Sequence, residues 1–341
     1  MPLLTVDNTG TQLFYLDSGV PYETTGAYTT VFAVHGLGFS SPIFNKIIAL
    51  APAANLRFVA INRRGYKRST PISAAEAETI INGTDEDKSE YLKTRGLELS
   101  RFIDIFIREN NTPPISPDGK TGGIAILGWS AGNGVVLSAI ANVDSIPEDA
   151  RSRLGSHLRA LIMQEPPSVI LGMPSPTGTW SPHMDTSLAE QQTPMYTQWI
   201  TSYFRHGDLA KRDTNVLSYI VPATFRRPTI YNMSPEEIEG TVDESMSEVP
   251  SMISLFVQAH ANYRKACFDR KIRELLPRMK VSALCGDATC SFPLAAFWAL
   301  QDDDKAEGGG FVNFRMILGV NHFMQWDDPD VSLKAYTDAL L

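Results

Sequence analysis

A serine between two glycines gives this sequence its clearest candidate for chemistry. Residues 123–134 read GIAILGWSAGNG, an apolar run, then G-x-S-x-G, then small residues that open a helix-like stretch. Glycines on both sides leave the backbone room for a sharp strand-to-helix turn that exposes the Ser130 hydroxyl. A strand before the motif and a helix after it are the context that makes so short a pattern informative. Ser130 is therefore the candidate nucleophile.

A serine hydroxyl is a poor nucleophile at neutral pH unless a base accepts its proton and an acid orients that base. Among six histidines, His322 is the preferred base, because it lies in GVNHF just past the last strand-like run. Loops beyond the carboxyl ends of parallel strands gather at one edge of a sheet, where Ser130 is also expected. The alternative is a loop histidine without a partner. Four of the other histidines are predicted to lie at surface or insertion positions and to have no metal role: His157, His183, His206 and His260.

Residues 35–38, HGLG, follow another apolar run and form a candidate oxyanion hole. The backbone N–H groups of Gly36 and Leu37, together with that of Ala131, could stabilise a developing negative charge. Removal of one such donor typically costs about 3–4 kcal/mol of transition-state stabilisation. His35 itself is expected to have an architectural role.

Strand-like and helix-like segments alternate through much of the chain. Strand-like runs occupy residues 3–6, 12–16, 30–34, 57–61, 124–127, 158–163, 281–285 and 311–318. Helix-like runs occupy residues 42–50, 85–110, the stretch after Ser130, and 331–341. Near-continuous apolar strands separated by helices predict a mostly parallel sheet that helices cover on both faces.

Residues 168–275 interrupt this alternation. They begin with a Pro/Gly/Ser stretch and continue as three helix-like blocks, at residues 196–206, 235–248 and 251–268. We interpret them as a helical insertion, which leaves residues 1–167 and 276–341 to form one core. Most aromatic and methionine side chains of the insertion are expected to form its own small core. Those on its underside, with Trp199 and Tyr203 as candidates, would make an apolar and adaptable pocket.

The composition is that of an ordinary soluble protein, with 43% hydrophobic and 20% charged residues and a net charge of −8. No Lys/Arg run resembles a phosphate-binding stripe, so nucleic acid is not an expected partner, and residues 63–68 are read as structural. No apolar run reaches the roughly 18 residues of a membrane span. The N-terminal residues show no signal-peptide pattern. Three cysteines do not make a disulfide framework. A cytoplasmic location is therefore predicted.

No spacing typical of a metal site occurs in the sequence, which lacks both H-E-x-x-H and C-x-x-C. The expected chemistry therefore uses neither a metal nor a cofactor. The expected partner is a hydrophobic small-molecule substrate, and the sequence leaves the oligomeric state open.

Four motifs occur in the order typical of one superfamily: HGLG at residues 35–38, NRRGY at 62–66, GWSAG at 128–132 and NHF at 321–323. Through them the chain resembles the α/β-hydrolase superfamily, whose HG loop, strand-four turn, nucleophile elbow and catalytic-histidine loop they match. The resemblance implies a mostly parallel eight-stranded sheet flanked by helices, in which residues 168–275 correspond to the cap. Because the nucleophile is serine rather than aspartate, dehalogenase and epoxide hydrolase chemistries are not expected.

The resemblance leaves two candidates for the acid. Most relatives carry an aspartate three residues past the glycine that ends the seventh strand, but here that glycine is Gly286 and the residue is Thr289. Asp287 lies one residue past the glycine. Glu165 directly follows the sixth strand, where zearalenone-type lactonases place their acid, and MQEPP at residues 163–167 resembles their strand end. We prefer Glu165 and keep Asp287 as the alternative.

These residues predict acyl transfer by a Ser130–His322–acid triad. The predicted enzyme is a serine hydrolase that cleaves a carboxylic ester or lactone of a hydrophobic substrate through an acyl-enzyme. Two alternatives stay open at this point. One is a carbon–carbon bond hydrolase that uses the same triad, and the other is a ligand-binding receptor that retains the hydrolase scaffold.

Overall fold

Eight strands form one sheet in the computed structural model, which describes residues 2–22, 27–243 and 253–341. The strands are β1 (Leu3–Thr5), β2 (Gln12–Asp17), β3 (Thr29–Val34), β4 (Leu56–Ile61), β5 (Ile124–Trp129), β6 (Leu158–Gln164), β7 (Lys280–Gly286) and β8 (Val312–Ile317). Their order across the sheet is β1-β2-β4-β3-β5-β6-β7-β8. The β1–β2 and β2–β4 pairs are antiparallel, and the remaining pairs are parallel. The predicted mostly parallel sheet is confirmed.

The central strands are apolar on both faces because the core continues on both sides of the sheet. Every residue of β3, β4, β5 and β6 is buried. Alternate side chains of β3 enter two different apolar clusters, with Phe32 and Val34 in one and Val31 and Ala33 in the other. Successive side chains of a strand point to opposite faces, so one cluster lies on each side of the sheet.

The described residues also form helices between and after these strands. They are α1 (Asn45–Leu50), α2 (Ala74–Asn82), α3 (Asp85–Asn110), α4 (Gly132–Ala141), α5 (Glu148–His157), α6 (Gln192–Ile200), α7 (Pro235–Thr241), α8 (Phe256–Phe268), α9 (Arg270–Leu275), α10 (Ser291–Ala306), α11 (Met324–Asp327) and α12 (Pro329–Ala339). Within the described ranges, none of them is both long enough and apolar enough to pass through a lipid bilayer.

Local signals set the bounds of the long helix α3. Thr84 accepts a hydrogen bond from the Asp87 N–H at its start, and Asn111 adopts a left-handed conformation with φ of 48° at its end. A capping side chain and a left-handed terminal residue satisfy the backbone groups that a helix end leaves unpaired. The predicted bounds 85–110 are accordingly correct. The helix predicted at 42–50 instead divides into a 3-10 turn, Ser41–Phe44, followed by α1.

Between β6 and β7 the described residues form helices and turns but no strand, apart from one isolated bridge between Phe39 and Val242. The helix predicted at 196–206 is wrong in its second half, because α6 ends at Ile200. The backbone beyond that end bonds to the core instead, with the Phe204 N–H donating to the Ala288 carbonyl at 2.9 Å. The other two predicted blocks are represented by α7 and α8, and their parts at 244–248 and 251–252 lie outside the described residues.

Candidate active site

Ser130 occupies a sharp turn between β5 and α4. Its φ is +53°, a left-handed conformation that costs a residue with a side chain roughly 1–2 kcal/mol. Hydrogen bonds hold the turn in this shape, since the Ser130 N–H donates to the Gln164 carbonyl at 2.9 Å. The Asn133 amide donates to the carbonyls of Ser130 and Gln164, at 2.9 and 3.1 Å. The surrounding backbone thus fixes a strained serine at the end of β5.

Two glycines permit the close backbone contacts around this turn. A Cβ atom on Gly132 would lie 2.2 Å from the Val34 carbonyl oxygen at the end of β3. A Cβ atom on Gly36 would lie 2.8 Å from the Cβ of Ser130. Both distances are below any real non-bonded contact, so the second glycine of G-x-S-x-G and the glycine of the HG loop are required by packing.

The loop after β3 holds one peptide group in a fixed orientation. The His35 Nε2 accepts from the Arg63 N–H at 3.1 Å, so the Nδ1 carries the proton and donates to the Gly36 carbonyl at 2.9 Å. Burial, followed by the Arg63 charge, holds the pKa of His35 well below its usual value. Arg63 Nη2 donates to the same carbonyl at 3.0 Å. In a planar trans peptide, the Leu37 N–H must point the opposite way.

Ser130 and His322 line one cavity of about 370 Å³. Leu37 and Ala131 line it as well. Within the described part of the chain, the backbone N–H groups of Leu37 and Ala131 donate to no backbone acceptor. Two free N–H groups therefore belong to residues that border the same space as the serine.

Glu165 contacts His322 directly. Its Oε2 is paired with the His322 Nδ1, and the side chain is wholly buried. Its Oε1 accepts from the Gly286 N–H and its Oε2 from the Thr289 hydroxyl, both at 2.7 Å. These donors fit the acceptor-only oxygens of an ionised carboxylate. The Trp129 indole N–H donates to the His322 carbonyl at 2.9 Å and so links the histidine to the end of β5.

Asp287 makes a different contact. Its Oδ1 accepts from the Gly319 N–H at 2.6 Å, and its backbone N–H donates to the Ile317 carbonyl at 3.0 Å. Both bonds join the loop after β7 to the end of β8. The structure therefore brings Glu165 to His322, while the hydrogen bond of the Asp287 carboxylate goes elsewhere.

Thr289 and Gly286 are site residues whose role sequence reasoning missed. Thr289 stands at the position where the sequence resemblance implies an acid, and its hydroxyl cannot replace a carboxylate. The structure shows that both residues donate to Glu165, so the loop after β7 supports an acid that arrives from β6. The sequence contains a signal for this arrangement, namely a threonine at position 289 together with Glu165 directly after β6.

Residues 168–275 contribute aromatic and methionine side chains to the cavity, as expected, among them Tyr196 and Met184, but not the two named candidates. Trp199 packs among neighbouring aromatic rings, and Tyr203 is fully buried with its hydroxyl donating to Asp327 at 2.8 Å. Neither side chain lines the cavity, so naming them as pocket residues was wrong. Tyr196 lines it, and so does His183, for which we expected a surface or insertion position with no metal role.

A thiol also borders the cavity. Cys290 is buried there, and burial followed by the Glu165 charge raises its pKa far above the ordinary value. The thiolate is the reactive form of cysteine, so Cys290 does not compete with Ser130 as a nucleophile at neutral pH. Among the described residues, no group of three or more His, Cys, Asp and Glu is arranged to hold a metal ion.

A second cavity of about 620 Å³ adjoins the first, and Ala131 and Val169 border both. Arg64 and Arg95 form part of its wall and both pair with the buried Glu98, at 3.0 and 2.8 Å. The prediction that the basic segment at residues 63–68 is structural is therefore supported for Arg64, because its guanidinium forms an ion pair with a buried glutamate of the same chain.

Comparison with known proteins shows likeness in fold. No family model matches the chain, and no curated protein matches it. A bromoperoxidase from Bacillus anthracis superposes with a TM-score of 0.55 at 15% identity, covering 99% of both chains. A carboxylesterase structure from the thaumarchaeon Nitrososphaera gargenis superposes with a TM-score of 0.52 at 14% identity, covering 99% of this chain and 97% of the other.

A third structure is AqDC, described as recognising and cleaving the ring of the Pseudomonas quinolone signal. It superposes with a TM-score of 0.51 at 13% identity, covering 100% of this chain and 98% of the other. At such identities the likeness shows the fold alone. The chain has the α/β-hydrolase fold.

Proposed function

We propose that this protein is a serine hydrolase that cleaves a carboxylic ester or lactone of a hydrophobic substrate. The contact between Glu165 and His322, beside the cavity that Ser130 borders, carries the proposal. The wholly buried carboxylate pairs with a histidine that lines the same cavity as the serine in the strained turn, and acyl transfer uses a nucleophile, a base and an orienting acid of these types. The residues proposed as catalytic are therefore Ser130, His322 and Glu165.

The proposed reaction has two halves. Ser130 Oγ attacks the substrate carbonyl while His322 accepts its proton, and Glu165 fixes the histidine tautomer and stabilises the imidazolium. The N–H groups of the Gly36–Leu37 turn and of Ala131 stabilise the oxyanion, and the absence of a side chain on Gly36 allows the loop to approach the serine. His322 then returns the proton to the leaving alcohol, and water activated by the same histidine releases the acid.

The walls of the cavity support the proposed substrate class. Apolar side chains from the insertion, including Tyr196, Met184 and Ile200, form much of its lining. The lining residues include neither Lys nor Arg among the described residues. A neutral, hydrophobic ester or lactone suits such walls better than a charged one. We accordingly assign residues 168–275 the role of a cap.

Carbon–carbon bond hydrolysis by the same triad is the second candidate. AqDC, which has this fold, is described as a ring-cleaving enzyme. A receptor that retains the scaffold is the third reading, and it requires no nucleophilic Ser130. The oxyanion donors and the paired histidine favour an enzyme.

A fluorophosphonate probe tests the proposal at the serine. The native protein should become labelled on Ser130, and Ser130→Ala should abolish both labelling and hydrolysis of p-nitrophenyl esters. Ser138→Ala is the matched control, because that serine lies in α4 and donates to the Leu92 carbonyl. Native protein that is folded yet neither labelled nor active on esters would contradict the proposal and favour the receptor reading.

A further inference from the structure

Two polar atoms of the insertion are buried at the cavity without a partner. The His183 Nε2 and the Thr179 Oγ1 have no hydrogen-bond partner among the described residues, and both residues line the cavity that Ser130 borders. A buried polar group without a partner costs roughly 1–3 kcal/mol. Most such groups in folded proteins are satisfied, and because these two atoms belong to residues that line a cavity, a ligand bound there can supply the missing bonds.

The environment of His183 keeps its ring neutral and in place. Burial lowers the pKa of His183, so the imidazole is uncharged at neutral pH. Its ring packs on that of Tyr196 with 4.0 Å between the centroids and 37° between the planes. A neutral imidazole nitrogen either donates or accepts, according to the tautomer.

The ligand group must suit two neutral partners. The Thr179 hydroxyl, like the neutral His183, can both donate and accept. A carboxylate or phosphate would enter a cavity whose described lining residues include no Lys or Arg to offset its charge. A hydroxyl group suits both partners, because it is neutral and can donate one hydrogen bond and accept another.

We propose that Thr179 and His183 bind a hydroxyl group of the substrate, and that the natural substrate is a neutral hydroxylated ester or lactone. This inference rests on the proposed function, since the same cavity borders Ser130. A volume of about 370 Å³ lies at the lower end of the 300–1,000 Å³ typical of small-molecule sites. One small substrate can therefore reach both the serine and the polar pair. Thr179 and His183 act here as specificity residues.

Matched substrates test the proposal. One series contains p-nitrophenyl ω-hydroxyalkanoates of increasing length, each compared with the alkanoate in which methyl replaces the hydroxyl. A second series carries the same replacement on the alcohol part of the ester. In at least one series the native enzyme should prefer the hydroxylated member in kcat/KM by about tenfold or more, because its analogue leaves buried polar atoms unpaired.

Two variants connect this preference to the named atoms. Thr179→Val keeps the side-chain shape, His183→Phe keeps a planar aromatic ring, and each removes the hydrogen-bonding atom. Each should reduce the preference several-fold while kcat/KM for the methyl member stays the same or rises. Thr186→Val and His260→Phe make the same replacements at exposed positions of the insertion and should leave the preference unchanged.

The outcomes separate this inference from the proposed function. A folded native protein that the fluorophosphonate does not label would overturn both the proposed hydrolase function and the hydroxyl-binding role of Thr179 and His183. Labelling of Ser130 with no hydroxyl preference in either series would overturn only the role of Thr179 and His183. The same conclusion would follow from a preference that both variants retain.

Discussion

The loops after β6 and β7 lie side by side at one edge of the sheet, and each begins close to an acidic residue. Glu165 pairs with His322, whereas Asp287 accepts from the Gly319 N–H at the end of β8. Both acids follow neighbouring parallel strands, and in sequence both are compatible with a triad. The difference shows that position after a strand does not determine which partner an acid reaches.

The two acids make matching backbone hydrogen bonds but differ in backbone conformation and side-chain length. The Glu165 N–H donates to the Leu284 carbonyl of β7, and the Asp287 N–H donates to the Ile317 carbonyl of β8, at 2.9 and 3.0 Å. Each acid thus continues the pairing of its strand with the next one. Glu165 has a left-handed φ of +49° and a longer side chain, whose carboxylate accepts from the Gly286 N–H at the end of β7 and pairs with His322.

The largest expected effect separates the two acids. Glu165→Gln should lower kcat by about 10⁴-fold, because the histidine loses the carboxylate that fixes its tautomer. Asp287→Asn should change kcat by less than about threefold, since an amide oxygen can still accept from Gly319. Steady-state ester hydrolysis measures both. A large loss confined to Asp287→Asn would reverse the proposed roles.

Gly286→Ala should disturb both strand ends together. The added Cβ would lie 2.4 Å from the Val320 carbonyl oxygen and 3.0 Å from the Glu165 Oε1. We expect a loss of about 1–3 kcal/mol in the free energy of unfolding and a kcat reduced by at least about tenfold. Gly240→Ala is the matched control, because no atom lies within 4 Å of its added Cβ. Denaturant unfolding and ester hydrolysis that match the native protein would show that the β7 loop does not support Glu165.

A smaller effect is expected from the hydroxyl that supports Glu165. Thr289→Val removes a donor to Oε2 and should lower kcat about tenfold or somewhat more, as loss of an outer hydrogen bond does at other sites. Thr289→Ser should restore most of the activity, because it returns the hydroxyl. If the valine and serine variants are equally active, the hydroxyl has no positioning role.

The smallest effect concerns a third strand end, where His35 follows β3. Its pKa is held well below 6.5 by burial and by Arg63, so the unfolded chain takes up a proton below about pH 6.5 that the folded protein does not. The stability contributed by neutral His35 is therefore complete above pH 6.5 and lost as the pH falls, by at most about 1.4 kcal/mol per pH unit.

Unfolding by denaturant at pH 7.5 and 5.5 measures this contribution. His35→Asn should lose less stability on acidification than the native protein, while His260→Asn, at an exposed position, should behave like the native protein. An NMR titration that shows His35 taking up a proton near pH 6.5 in the folded protein would contradict the expectation.

Local patterns in the sequence determined the strands, the turn at Ser130 and the loop that carries His322. These features depend on neighbouring residues: apolar runs bury a strand from both sides, and glycines permit a sharp turn. The same reasoning placed α3 within its observed bounds, because its capping residues adjoin it in sequence. For such elements, the information lies within the segment itself.

Only the tertiary structure decided which acid meets the histidine and which insertion residues line the cavity. Glu165 and His322 are 157 positions apart, and their contact depends on how two strand ends and a third loop are arranged in space. The expected pocket residue Tyr203 is instead engaged with Asp327, 124 positions away. A side chain's partner across such separations is set by packing and hydrogen bonds between elements, which no local pattern encodes.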